Sequence, residues 1–251
     1  MPLHAVEPQR LYRQIANQLR QLIVAGEFAV GARLPAERDL AKQLDVSRPS
    51  VREALIALEV EGWVEVRTGS GVYVKSRKSL ADRSEAAATA EWGPLELIRA
   101  RRVVEGETAA LAAQMAKRKH IAQIGEALQG MRADADAGRM PLLGDRAFHT
   151  AVVESCDNVV LLETVQRFWD SRRGPVFTRL GGYFENVDSW REAIAEHEAV
   201  LDAIRAHDPD AARAAMQNHM DRAHARFSVS WRKVKTAAPH SRARRGTDEL
   251  P

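Results

Sequence analysis

Residues 46–74, VSRPSVREALIALEVEGWVEVRTGSGVYV, decide the fold, because the period of their apolar residues changes part-way along. Up to Val60 the period is helical: Val51, Ala54, Leu55 and Leu58 share one face, and Ser47 is a natural N-cap. Pro49 is tolerated there because it falls in the first turn. Beyond Gly62 the period drops to two: Val64/Val66 and Val72/Val74 alternate with other residues on either side of Thr68-Gly69-Ser70-Gly71, a β-hairpin pattern. Upstream, Leu11, Ile15, Leu19 and Leu22/Ile23 recur at helical spacing until Gly26, and Gly31–Pro35 is a loop. A short helix from about Ala36 to Leu44 follows, with Asp45-Val46 as the turn. Helix, helix-turn-helix, then hairpin is a winged helix, occupying residues 1–75.

Residues 76–92, with their run of serine, arginine and alanine, predict a linker. From Gly93 the pattern is helical throughout: 94–118, 120–137, 142–156, 158–180 with a break at Gly174-Pro175, 187–207 and 208–230. The fold class is therefore mainly α, a winged helix-turn-helix followed by an all-α bundle of about six helices over 93–232. Residues 233–251 predict a basic, disordered tail.

The chain has 251 residues, 45% hydrophobic and 28% charged, the balance of a globular protein. No run of 18 apolar residues occurs, which excludes a membrane-spanning helix, and the first residues lack the pattern of a signal peptide. A cytoplasmic location is expected. Cys156 is the single cysteine, so neither a disulfide within the chain nor a cysteine-rich zinc site can form. The net charge is +3. It is not where a nucleic-acid reader would need it: residues 1–75 hold 10 basic against 9 acidic side chains, whereas 231–251 hold 6 against 2. DNA binding must be argued from individual residues.

In a helix-turn-helix the first turns of the second helix meet base edges in the major groove. Here those turns offer Arg48, Ser50 and Arg52, with Ser47 at their mouth. Arginine pairs bidentately with guanine, and serine can donate to phosphate or base. Arg38 is placed to reach the backbone or an adjacent base, and the hairpin tip at Thr68 and Gly69 to approach a phosphate or the minor groove. The competing reading of Arg48 and Arg52 is a solvated helix face.

The second domain carries polar residues on its apolar stripes. His197 lies among Ile194, Val200/Leu201 and Ile204, and His219 among Ala212, Met216, Ala223 and Phe227. Asp145 and His149, four apart, share a face with Val152/Val153 and Cys156. Three helices thus direct ligand-type side chains inward, and one carboxylate with three imidazoles would hold a divalent metal, zinc first, nickel or manganese as alternatives. Any one of these histidines taken alone reads as a hydrogen-bonded core residue; four such residues together read as a site. Arg101, on the stripe Leu97, Arg101, Val104, Thr108, Leu111, Met115, also points inward and needs an anion, either a structural carboxylate such as Glu105 or a carboxylate ligand beside the metal. Arg172 is a second candidate for such a ligand.

These stretches resemble a known family. Leu34-Pro-Ala-Glu-Arg-Asp-Leu-Ala41, Val46 to Leu55, Leu58-Glu-Val-Glu-Gly-Trp63 and Arg67 to Val74 look like the winged helix of GntR-type bacterial transcription regulators. Residues 99–113, Asp145-Arg-Ala-Phe-His149, Glu196-His197 and Asn218-His219 resemble the FadR-like effector domain, often called FCD, in its metal-binding form. The resemblance implies a homodimer on a palindromic double-stranded operator, with DNA contacts at the positions of Arg38, Arg48, Ser50, Arg52 and Gly69. It also implies a small carboxylate effector met by Arg101. Phe168-Trp-Asp-Ser-Arg-Arg173 and Trp190 are similar to hexuronate or sugar-acid regulators. The chain is accordingly expected to be a regulator, most simply a repressor of a catabolic operon, and not an enzyme. A metal-dependent enzyme with an accessory winged helix and a direct metal sensor are the alternatives.

Overall fold

The computed structural model describes residues 10–76 and 92–229. The linker expected at 76–92 lies outside them except at its ends, and the tail expected at 233–251 lies outside them entirely.

Helix α1 (Leu11–Ala25) buries Tyr12, Ile15, Ala16, Leu19 and Ile23. Leu11 and Leu22, expected on this face, are 49% and 37% exposed, because the stripe centres on the i, i+4 row Ile15-Leu19-Ile23 and leaves them at its margins. Gly26 ends the helix in the left-handed conformation. Helices α2 (Glu37–Leu44) and α3 (Arg48–Val60) follow, and Ser47 caps α3 by accepting from the Ser50 N–H. Strands β1 (Val64–Arg67) and β2 (Gly71–Val74) pair antiparallel with Val64 opposite Val74 and Val66 opposite Val72, the register the alternation predicts. The hairpin turn closes through Ser70 N–H to Arg67 C=O, with Gly69 at φ +76°, a conformation other residues adopt only under strain.

The second domain consists of α4 (Pro94–Met115), α5 (Arg118–Asp136), α6 (Leu142–Glu154), α7 (Val159–Ser171), α8 (Pro175–Phe184), α9 (Val187–Arg205) and α10 (Pro209–Ser228). Among the described residues there are seven helices rather than about six, because the stretch 158–180 divides at Arg172–Gly174 and restarts with Pro175 at the first turn of α8. Helix α4 packs along α10 and buries the small residues Ala109, Ala112 and Ala113. At Gly106 a Cβ would stand only 3.0 Å from the Gln217 side chain. The core side chains Ile98, Ile124, Phe148, Leu201 and Ile204 are almost wholly removed from water. Each such burial is worth about 1.5–3 kcal/mol.

The winged helix is docked on the bundle. Every residue of α3 from Val51 to Leu58 is buried, including Arg52 and Glu53, whereas one apolar face was expected. The other face lies against α8 and the end of α10. Glu53 accepts from the backbone N–H of Leu95 at 2.7 Å, and Glu59 takes both Arg179, at 2.9 Å, and the Tyr183 hydroxyl, at 2.8 Å.

Candidate functional site

Helix α6 brings Asp145 and His149 to one face, α9 brings His197 and α10 brings His219; all four are buried. One ligand atom from each lies within 4.8 Å of all the others. His197 Nε2 is 3.0 Å from Asp145 Oδ1, and His149 Nε2 is 3.1 Å from His197 Nε2 and 3.5 Å from Asp145 Oδ1. Adjacent donors around a four-coordinate ion at a Zn–N distance of about 2.0–2.1 Å stand about 3.3 Å apart, and around a six-coordinate ion about 3.0 Å apart. The separations among Asp145, His149 and His197 fit a single small cation.

The outer nitrogens explain why the inner ones are available. His149 Nδ1 faces Glu105 Oε2, His197 Nδ1 is 2.6 Å from the Ala193 carbonyl, and His219 Nδ1 is 2.8 Å from Glu196 Oε2. A carbonyl or a carboxylate can only accept, so each ring, when neutral, carries its proton on Nδ1 and turns the Nε2 lone pair inward, the arrangement by which outer partners orient metal-binding histidines. Asp145 Oδ1 accepts no hydrogen bond, while Oδ2 accepts from Arg172 Nη1 at 2.7 Å. Three lone pairs and a carboxylate oxygen converging in a buried space repel one another unless a cation or a proton joins them.

Burial works against ionised Asp145, yet the neighbouring His149 and His197 and the charge on Arg172 hold its pKa well below the usual carboxylate range. Burial likewise opposes a charged Glu105, but Arg101 and His149 hold it down to about 2. For His149 burial disfavours the imidazolium, while Glu105 and Asp145 more than offset this and raise its pKa. His219 is driven far down by burial and by the neighbouring His197 and His149.

Arg101 is buried, donates to Glu105 from Nε at 2.5 Å and from Nη2 at 3.3 Å, and lies over the Trp169 ring at 4.4 Å. The structural partner foreseen for it is therefore present, and through Glu105 it supports His149. Arg101 also borders a cleft beside the four-residue cluster. Arg172, Arg226 and Glu185 supply its other charges, and Phe177, Trp190 and Phe227 its aromatic walls. Arg226 is held by Glu196 at 3.0 Å, so one carboxylate positions both a metal-type ligand and a cleft cation. Burial raises the pKa of Glu185 against the pull of Arg172. Glu185 and Arg226 carry no periodic signal, standing at a helix junction or a helix end; only the tertiary packing gathers them.

The expected DNA-reading residues divide. Arg38, with 81% of its side chain exposed, and Arg48, with 48%, project from α2 and α3. Ser47 and Ser50 bond each other at 2.8 Å across the helix mouth, and Thr68 and Gly69 form the hairpin tip. Arg52 is different: 1% of its side chain is exposed, it is bidentate on Glu37 at 2.7 and 3.1 Å, and its Nη1 donates to the Phe227 carbonyl at 2.7 Å. In this arrangement of the domains it faces the bundle rather than an open surface, because α8 and α10 cover its side of α3.

Comparison with known proteins places these features. A family model described as the FCD domain matches residues 96–222, and one described as bacterial regulatory proteins of the gntR family matches residues 11–74. The Uxu operon transcriptional regulator of Escherichia coli K12 is 35% identical over 222 residues, 86% of each chain. The Exu regulon transcriptional regulator of the same organism is 36% identical over 230 residues, 87% of this chain and 85% of its own. Among solved structures, a Streptococcus agalactiae GntR protein aligns with a TM-score of 0.47 and 26% identity, over 85% of this chain and 99% of that one.

Proposed function

The chain belongs to the gntR family of bacterial regulatory proteins and carries an FCD domain, and from that premise we propose that it is a ligand-responsive repressor of a sugar-acid catabolic operon. Its winged helix reads a palindromic operator as a homodimer in the cytoplasm, with Arg38, Arg48 and Ser50 on the reading face and the hairpin tip beside it. The effector is a hexuronate-type acid, a choice supported by the Uxu and Exu relatives and by the dense arginine lining of the cleft.

The observation that carries this reading is the inward convergence of Asp145 and three Nε2 lone pairs on the wall of a cationic cleft. These four residues would hold a divalent ion, zinc first among the candidates, which when bound offers a carboxylate and its neighbouring hydroxyl a place to chelate. The chain's own groups do the rest. Arg172 and Arg226 attract and orient the carboxylate, and Glu185 hydrogen-bonds a sugar hydroxyl. Trp190 and Phe177 exclude water from the apolar side of the ring. Ligand binding regulates only if it favours one arrangement of the two domains over another.

Metal analysis and thermal shift test this. The wild-type chain retains about one divalent ion per protomer, and the double variant His197→Ala, His219→Ala retains none. D-Glucuronate or D-galacturonate at 100 times its Kd raises stability by about 2.7 kcal/mol. Stoichiometric metal in the double variant would remove the proposed site.

A further inference from the structure

We propose that Arg52 is a latch between the two domains and that Phe227 is the residue through which the ligand cleft works it. The inference rests on the reading of the chain as a DNA-binding, ligand-responsive regulator.

Arg52 stands in the second turn of α3, next to the exposed Arg48 and on the element that would enter the major groove. Its guanidinium is nevertheless enclosed on three sides: by Glu37 of α2, by the Phe227 carbonyl at the end of α10, and by the Phe184 ring of α8, 5.2 Å from its centre. The groups that hold it, a carboxylate and a carbonyl, use the donors that a phosphate or a guanine would need. With 1% of the side chain exposed, Arg52 cannot reach DNA until α3 and the bundle separate.

Phe227 belongs to both halves of this device. Its ring lines the ligand cleft and meets Phe177 edge-on at 5.6 Å, while its carbonyl is the acceptor for Arg52. The preceding residue, Arg226, lines the same cleft and is tied through Glu196 to His219. A ligand that moves Arg226 or the Phe227 ring therefore acts on the last turn of α10, and that turn carries the acceptor on which Arg52 depends. A second tether runs parallel to the first, Arg179 and Tyr183 of α8 holding Glu59 at the far end of α3. Docked, α3 is withheld from DNA; released, it is available, and the apparent operator affinity scales with the released fraction. Coupling of this kind is reciprocal, so DNA must loosen the end of α10 just as the cleft restrains α3.

The test uses the full-length protein and an operator selected from a random duplex library with the wild-type chain. Phe184→Ala and Arg179→Ala each remove a contact that keeps α3 docked, and neither residue is on the reading face. Each raises operator affinity about five-fold or more, the lower end of ordinary coupling between sites. The shift produced by D-glucuronate or D-galacturonate shrinks in the same variants. On the wild-type chain, hydrogen exchange of amides 224–228 accelerates when operator is added, an outcome independent of how the variants fold. A wild-type chain that binds its selected operator while neither substitution strengthens binding and amides 224–228 stay equally protected overturns the latch alone. Failure of the wild-type chain to enrich any sequence overturns the regulator reading beneath it.

Discussion

Arg172 Nη1 donates to Asp145 Oδ2 at 2.7 Å, leaving the other oxygen of that carboxylate 3.0 Å from His197 Nε2. The arginine thus fixes which oxygen turns toward the three imidazoles. Sequence reading places it only as a ligand-binding cation; its position makes it a support of the metal-type cluster as well. Arg172→Ala is expected to weaken zinc binding about 10–100-fold, the usual effect of losing a partner that orients a ligand. Competition with a chromogenic chelator measures it, and an unchanged affinity would leave Arg172 with the effector alone.

Arg101 and Glu105 form a buried pair in which neither partner can be removed without stranding the other's charge. Arg101→Ala strands an ionised carboxylate against His149. The expected loss is about 3–5 kcal/mol of stability, the range for breaking a buried pair from one side. Urea unfolding of Arg101→Ala and of the double variant Arg101→Leu, Glu105→Leu distinguishes the pair's role: the double variant regains much of the loss in the apo protein.

Glu53 gives the docked arrangement a pH dependence. Burial raises its pKa from 4.5 to about 7, against the opposing hydrogen bond from Leu95 N–H. Between pH 4.5 and about 7 the folded chain therefore binds more protons than the unfolded chain, and stability falls as pH rises through that window. Glu53→Gln keeps the acceptor for Leu95 and removes the titration. It is expected to raise the thermal midpoint at pH 8, by a stability increment of at most about 3 kcal/mol, and to change little at pH 4. Equal increments at both pH values would contradict this account.

Arg48 remains half-exposed with a long 3.4 Å contact to Glu37, so its side chain can exchange that contact for DNA. Arg48→Ala is expected to weaken binding to a selected operator by about 1–3 kcal/mol and to relax preference at one base pair. Competition titrations against single-base operator variants read both effects; uniform weakening across them would assign Arg48 to phosphate instead.

Much of this was legible in the chain, for identifiable reasons. The change from helical to twofold period at Gly62 marks the hairpin because side-chain direction is set by backbone geometry alone. The cluster Asp145, His149, His197 and His219 shows itself because polar residues interrupt stripes that burial would otherwise fill with aliphatic ones. What the pattern does not contain is the side of an element that a different domain covers. Arg52 looks like a surface arginine because its partners, Glu37 and the Phe227 carbonyl, are fixed by docking rather than by spacing, and one of them is a backbone atom with no residue type to read. The cleft wall at Glu185 and Arg226 is hidden for the same reason. The division of 158–180 into two helices turns on one turn at Arg172–Gly174, and that turn also aims Arg172 at Asp145.

The contact between Arg52 and Phe227 joins positions 175 residues apart, and this separation has a consequence during synthesis. Translation at about 5–20 residues per second makes Arg52 roughly 9–35 s before Phe227. For that interval the reading helix is on the growing chain while its restraining carbonyl has not yet been polymerised. A newly made chain can therefore dock the winged helix first through the earlier-made contacts of Leu95, Arg179 and Tyr183, and gains the acceptor for Arg52 only when the last helix is complete.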